Sequence, residues 1–263
     1  MKITVLCENT TCSRSIGAEH GLSLYIRTER HKLLFDMGQS DLFLKNAQAL
    51  GIDLAEVDIA VVSHGHYDHG GGLGAFLDIN KKAPVYISKH AFGEHYNEEG
   101  KYIGLDPLLL DSTRLIPVDD YLRIDGELEL FSCNERERKY GTDPFGLGIK
   151  KDGNIIPDEF LHEQYLCISE NGKRTVISGC SHKGIFNIMG WFLPDVLVGG
   201  FHFLKLDPMS DGEGNLTKAA ELLMRYPAEY YTGHCTGETQ FAFLKGFMGD
   251  KLHYISSGNT VTV

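Results

Sequence analysis

The sequence predicts an α/β protein built as a four-layer αββα sandwich, with residues 1–263 forming one unit. Three observations point there. Residues 63–70 read Ser-His-Gly-His-Tyr-Asp-His-Gly and directly follow the largely apolar run 57–62, the pattern of a buried strand that ends in a turn. Three later histidines, His182, His202 and His234, stand in loops of similar form, each following a short apolar or aromatic run and reached through glycine. Strand-like and helix-like segments also intermix in two similar halves, and no linker, repeat or low-complexity tract separates them.

Taken in order, residues 2–7, 22–28 and 31–36 alternate or run apolar and are expected as strands. Residues 40–51 open on a Ser40 N-cap, place Leu42, Phe43, Ala47 and Leu50 at helical spacing and close on Gly51, which predicts a helix. The strand 57–62 leads into the histidine loop, then a short helix near 72–78 and a strand over 84–88. Residues 90–111 read as helical and then irregular, and 115–133 as two short strands. The stretch 90–161 is the least strand-like, rich in aromatics and mixed charge, and is expected to form a lid over the site. A second strand-rich half begins at Gln164, continues through helices over 217–225 and 238–248, and ends in an edge strand over 258–263.

Composition narrows the function. A net charge of −11, with no basic run longer than a few residues, argues against a nucleic-acid groove. The short apolar stretch before Glu8 is too brief for a signal peptide, and no window approaches 18 apolar residues, so neither export nor a membrane span is expected. Cys7, Cys12, Cys133, Cys167, Cys180 and Cys235 contain no CxxC pair and read as reduced thiols of a cytosolic protein.

The histidine loops carry the chemistry. Imidazole nitrogen and carboxylate oxygen are the ligands that zinc, manganese or iron favour in catalytic sites. In an extended turn His64 and His66 project to the same side, while Asp68 and His69 follow at a helix start and address a second ion. Four strand ends of one sheet, each carrying histidine, would converge on one metal pocket. Cys180 and Cys235 lie within two residues of His182 and His234; a thiolate ligand is the alternative to a small buried packing residue, and packing is the expected role.

His64-x-His66-x-Asp68-His69 meets in full the His-x-His-x-Asp-His motif, and the chain resembles the metallo-β-lactamase superfamily. His182 and His234 match its downstream single histidines in order and rough spacing, and Leu33-Leu34-Phe35-Asp36-Met37-Gly38 is similar to the strand-turn before the metal loop. Within the superfamily, Glu8-Asn9-Thr10, Glu19-His20-Gly21-Leu22-Ser23, Gly199-Gly200-Phe201-His202 and Gly233-His234-Cys235-Thr236-Gly237 resemble the group of metal-dependent hydrolases that includes the archaeal dihydropterin–ribofuranosylaminobenzene-phosphate synthases.

The resemblance implies two divalent ions, zinc foremost and manganese or iron as alternatives, because six ligand-type residues are too many for one tetrahedral site. His64, His66 and His182 are assigned to the first, and Asp68, His69 and His234 to the second, with Asp68 also a catalytic residue. Asp36 is expected to brace the ligand loop from behind. The chain departs from the common pattern where many members carry a bridging Asp: Asp195 begins its strand, and His202 stands near the strand's end as a catalytic or substrate-binding residue. Asn9, His20 and Lys183 are further expected substrate contacts. The implied activity is hydrolysis of a phosphorylated, ester or lactone-type small molecule by hydroxide generated at the metals. The alternatives are a synthase-like transferase that binds a pyrophosphate substrate and a non-catalytic metal-binding protein.

Overall fold

The computed structural model describes all residues from Met1 to Val263. Two seven-stranded sheets form its centre. The first runs, in spatial order, Thr260–Thr262, Lys2–Cys7, Ser23–Arg27, Lys32–Phe35, Ile59–Val62, Val85–Ser88 and Leu115–Val118. The second runs Leu252–Tyr254, Glu229–Thr232, Val196–Val198, Lys173–Ile177, Tyr165–Glu170, Leu128–Phe131 and Tyr121–Arg123. In each sheet four neighbouring strands are parallel and the rest antiparallel.

Two-residue alternation sorts the side chains between layers. Leu33, Phe35, Ile59 and Val61 meet Leu166, Ile168, Ile177 and Val198 in the core between the sheets. Their chain neighbours Leu34, Ala60 and Val62 face outward under the helices Leu42–Ala49 and Leu73–Ile79. On the other side, Tyr165, Cys167, Val176 and Leu197 pack beneath Ile185–Phe192, Glu213–Leu223 and Glu238–Met248. The result is the expected αββα order.

Local propensity alone would not hold the first helix, which has eight residues and no side-chain N-cap bond. Ser40 serves one step early, its hydroxyl accepting from Leu42 N. Burial decides the matter: Phe43 and Ala47 are sealed, Phe43 alone being worth about 1.5–3 kcal/mol. Asn46 adds bonds from its amide to Leu6 O and Gly17 O.

The segment 90–161 differs from its expectation. Residues 90–111 hold no α-helix; they form the strand His95–Tyr96 and a 3-10 turn at Pro107–Leu109. Residues 115–133 contain three strands, of which Leu115–Val118 completes the first sheet while Tyr121–Arg123 and Leu128–Phe131 complete the second. Much of the segment is therefore the crossing between sheets. The hairpin Gly148–Lys151/Asn154–Pro157 pairs with His95–Tyr96 as a separate small sheet. Its two-residue turn, Asp152-Gly153, has positive φ at both positions, as hairpin twist demands. The helix expected over 217–225 begins earlier, at Glu213. No helix is long and apolar enough to cross a membrane.

Candidate metal centre

Parallel strands of both sheets, rather than of one sheet as expected, deliver the histidines. Ile59–Val62, Lys173–Ile177, Val196–Val198 and Glu229–Thr232 all end toward one region, and His64, His182, His202 and His234 lie in the loops that leave those ends. Ligands of open α/β sheets gather at such carboxyl ends. Gly65 is required there, because a Cβ would strike the Ala91 carbonyl oxygen.

Asp36 organises the first loop. It is fully buried, and its carboxylate accepts from Ser63 N at 2.7 Å, Ser63 Oγ at 2.7 Å and His69 Nδ1 at 2.6 Å. Since the Ser63 hydroxyl donates to Asp36, it accepts from His64 Nδ1 at 2.8 Å. Both rings thus carry their proton on Nδ1 and turn an Nε2 lone pair into the site. Burial raises the Asp36 carboxyl, with His69 and Ser63 opposing that rise.

Buried glutamates fix the loops of His182 and His234. His182 N and Lys183 N donate to Glu163, which also accepts from the Tyr165 hydroxyl. Phe160 stacks on the His182 ring at 4.4 Å and 9°. His234 N and the Tyr254 hydroxyl donate to Glu8, whose other oxygen accepts from Thr10. That anchor holds His234 at a φ of +50°. Asn9 Oδ1 accepts from His234 Nδ1 at 2.8 Å, so His234 also presents Nε2.

Two groups result. His64 Nε2 and His182 Nε2 lie 3.3 Å apart, and the His66 ring sits 4.7 Å from that of His64 and 5.0 Å from that of His182. Beside them, His234 Nε2 is 3.2 Å from His69 Nε2 and 3.2 Å from Asp68 Oδ2, which is 3.6 Å from His69 Nε2. Burial and the neighbouring rings push His64 and His182 well below the usual imidazole range, and burial takes His234 to about 4. Burial opposes the Asp68 charge, yet His69, His20 and His234 hold this carboxyl well below its ordinary value. His69 goes the other way: burial disfavours its charge, but Asp68 and Asp36 raise it above its usual value. The donor atoms of each group converge on one point beside a carboxylate, as a shared cation would require. The donor set fits divalent metal ions.

Of the expected substrate contacts, His20 reaches the site, with Nε2 3.3 Å from Asp68 Oδ2. His202 lies at the cavity wall, its ring 4.4 Å from that of His182, and burial lowers it to about 4. Asn9 acts behind His234, as described. Lys183 is a correction. It is wholly buried, and its Nζ donates to Ser132 O at 2.6 Å and Glu163 O at 2.8 Å. Burial lowers it to about 8. It points away from the pocket because the helix starts only at Ile185, leaving Lys183 in the turn that closes over Glu163.

Sequence reasoning missed the supports. Glu8 stood in a motif of the resemblance but with no role assigned, Glu163 gave no local signal, and His95 and His162 read as ordinary histidines. Both are buried behind His66: His95 Nδ1 and His162 Nε2 share Asp158 Oδ2 at 2.8 and 3.2 Å, and His162 Nδ1 accepts from Gly65 N at 2.8 Å. A cavity of about 230 Å³ borders His66, Asp68, His182 and His234. It adjoins a cleft of about 490 Å³ that shares His182 and His202 and is walled by Tyr140, Phe145 and Phe186, with Lys139 and Lys218 beside them.

Comparison with known proteins agrees with this fold. The family model of the metallo-beta-lactamase superfamily matches residues 16–234. An uncharacterised protein of Methanocaldococcus jannaschii is 30% identical, covering 89% of this chain and 90% of its own length. The 7,8-dihydropterin-6-methyl-4-(beta-D-ribofuranosyl)-aminobenzene-5'-phosphate synthase of the same organism is 28% identical, covering 96% and 94%. A crystal structure described as a metal-dependent hydrolase of the beta-lactamase superfamily superposes with a TM-score of 0.84 at 30% identity, covering 100% of this chain and 99% of the other.

Proposed function

Because the chain belongs to the metallo-β-lactamase superfamily, we propose that it is a dinuclear metal-dependent hydrolase of a phosphorylated, ester or lactone-type small molecule. The observation that carries this reading is the pairing of two adjacent donor groups. His64, His66 and His182 would hold one ion, and Asp68, His69 and His234 the other, with zinc the best match to an imidazole-rich set. Divalent ions bound there would lower the pKa of water from about 15.7 to about 7 and polarise a carbonyl or phosphoryl oxygen.

The chain's own groups do the rest. Asp36, Ser63 and Asn9 fix the tautomers of His69, His64 and His234. His20 holds Asp68 from the solvent side. His202, neutral at pH 7, offers a hydrogen bond at the boundary of cavity and cleft, where an anionic substrate group can meet it. The aromatic cleft takes the substrate's body.

A second reading, a transferase that binds a pyrophosphate substrate, is favoured by the same cleft and by likeness to the synthase. One experiment separates the two. Zinc-loaded protein is assayed on a phosphodiester and lactone panel, and on a dihydropterin pyrophosphate with a phosphoribosyl acceptor. Hydrolysis that rises through about pH 7 supports the hydrolase. A flat panel with turnover of the pterin pair replaces it with the transferase, and failure to bind two metal equivalents removes both.

A further inference from the structure

We propose that the buried His95–Asp158 pair is the positioning partner of His66, accepting the N–H that His66 turns away from the first ion. The inference rests on the dinuclear reading above and adds to it what holds the middle ligand of the first group.

His66 is supported differently from the other ligands. His64, His69 and His234 each bond Nδ1 to a neighbour and present Nε2. His66 borders the cavity, yet its Nε2 is sealed in the interior with no hydrogen-bond partner. Its open nitrogen is therefore Nδ1, and ligation through Nδ1 puts the ring proton on Nε2. A buried N–H needs an acceptor, and ligand imidazoles nearly always donate theirs to a protein group or water behind them.

An acceptor stands beside it. Behind His66, His95 Nε2 is likewise buried and unpartnered. His95 Nδ1 donates to Asp158 Oδ2 at 2.8 Å, which leaves a lone pair on Nε2. The His66 and His95 rings meet edge-on, 5.5 Å apart at 80°. An N–H···N bond between imidazoles sets their centroids about 5 Å apart. A nitrogen from each of His66, His95 and His162 and an oxygen of Asp158 all fall within 4.8 Å of one another. His162 is already committed, since its Nδ1 accepts from Gly65 N and its Nε2 donates to Asp158. Those two bonds leave it no lone pair for a cation, so the four residues do not make a third metal site.

The fold delivers the pair to this place. His95 opposes Ile149 in the small sheet, and Asp158 follows the strand Asn154–Pro157 of that sheet. Phe160 N donates to Asp158 Oδ1 at 2.7 Å, and Asp158 N donates to Leu147 O. No lysine or arginine pairs with this buried carboxylate; its partners are His95 and His162. Its charge polarises His95 toward His66, behind a donor group made of three imidazoles and no anion. The small sheet, which stands apart from the two large ones, thereby reaches the first ion from behind.

Full-length protein labelled with nitrogen-15 at histidine and loaded with cadmium-113 tests this. Each occupied site gives one cadmium resonance, and its couplings identify the ligand imidazoles. His66 is expected to couple through Nδ1 and to keep an Nε2 proton that lies far downfield and exchanges slowly with solvent. Asp158→Asn and His95→Phe are expected to move that proton upfield and speed its exchange. They should also weaken the first site about 10- to 100-fold while changing the second less than about two-fold. A wild-type His66 that ligates through Nε2, or whose Nε2 proton sits where an unbonded imidazole proton does, overturns the proposal without any variant. So do variants that leave the proton unmoved, or that weaken both sites alike as a merely structural loss would. A single cadmium resonance coupled to His66 removes the dinuclear reading, and the same proton still decides the proposal. Protein that takes up no cadmium overturns both.

Discussion

Asp36 Oδ2 lies 2.6 Å from His69 Nδ1, and both side chains are completely buried. The contact joins the turn after Lys32–Phe35 to the histidine loop after the neighbouring parallel strand. Asp36 adopts a φ of +59° there, a conformation that costs a non-glycine residue about 1–2 kcal/mol. Its three accepted hydrogen bonds offset that strain.

If Asp36 sets the His69 tautomer, Asp36→Asn should fold and yet bind zinc about 10- to 100-fold more weakly. Competition with a chromophoric chelator gives the affinity, and circular dichroism the fold. Unchanged affinity would make Asp36 an ordinary turn acid.

The histidine octet was legible because all its chemistry lies within a few residues after an apolar, fully buried strand. The αββα order was legible for a similar reason, since residues such as Leu33, Leu34 and Phe35 assign themselves to layers by parity. Apart from Asp36, what holds the ligands was not legible. Glu8 supports His234 across 226 residues, and Asp158 meets His95 across 63, distances at which no periodicity speaks. Lys183 misled because a basic residue beside a ligand suggests an anion contact, whereas its turn directs it inward to Ser132 O. Residues 115–133 hold three strands where two were expected; Tyr121–Arg123 and Leu128–Phe131 are separated only by the tight turn at Asp125, its carboxylate accepting from Glu127 N and Leu128 N.

Lys183 should therefore matter for folding and not for substrate recognition. Lys183→Ala leaves two buried carbonyl oxygens without their shared donor, at a cost of at least about 2 kcal/mol. Urea unfolding should show that loss, while KM of the residual folded enzyme stays within about two-fold. A large KM effect at unchanged stability would restore Lys183 as a substrate contact.

A pH effect should arise far from the metals. His31 bridges Asp58 at 3.3 Å and Asp125 at 2.9 Å, tying the first sheet to the second. Burial disfavours the charged ring, but the two carboxylates outweigh it and raise His31 above its usual value. Burial also opposes the Asp125 charge, yet backbone donors and His31 bring that carboxyl to about 2. A raised histidine stabilises fully below its unfolded pKa of about 6.5, and that stability is lost as pH rises through the folded value. The depressed Asp125 contributes above about 3.9 and loses its contribution as pH falls toward 2. The pair should stabilise most between about pH 4 and 6.5, by less than about 1 kcal/mol given its partial exposure. His31→Gln should flatten the stability profile from pH 5.5 to 8.5; an unaltered slope would show that His31 is not the group responsible.

His202 is where recognition should be concentrated. It borders both the metal cavity and the aromatic cleft, against His182 on one side and Phe145 at 5.4 Å on the other. Burial keeps it neutral at pH 7, so its contribution is a directed hydrogen bond. Such a bond to a charged group is worth about 1.5–3 kcal/mol, or about 10- to 100-fold in kcat/KM. His202→Ala should keep both metal equivalents, raise KM and lose activity by that factor, whereas His66→Ala should lose metal outright. Because His202 has a φ of +59°, Ala also adds backbone strain. Asn accepts the left-handed region readily, so His202→Asn separates the lost imidazole from the strain. Elemental analysis beside steady-state kinetics on both variants decides the role. Metal loss in His202→Asn makes His202 a ligand, and full activity in both variants makes it structural.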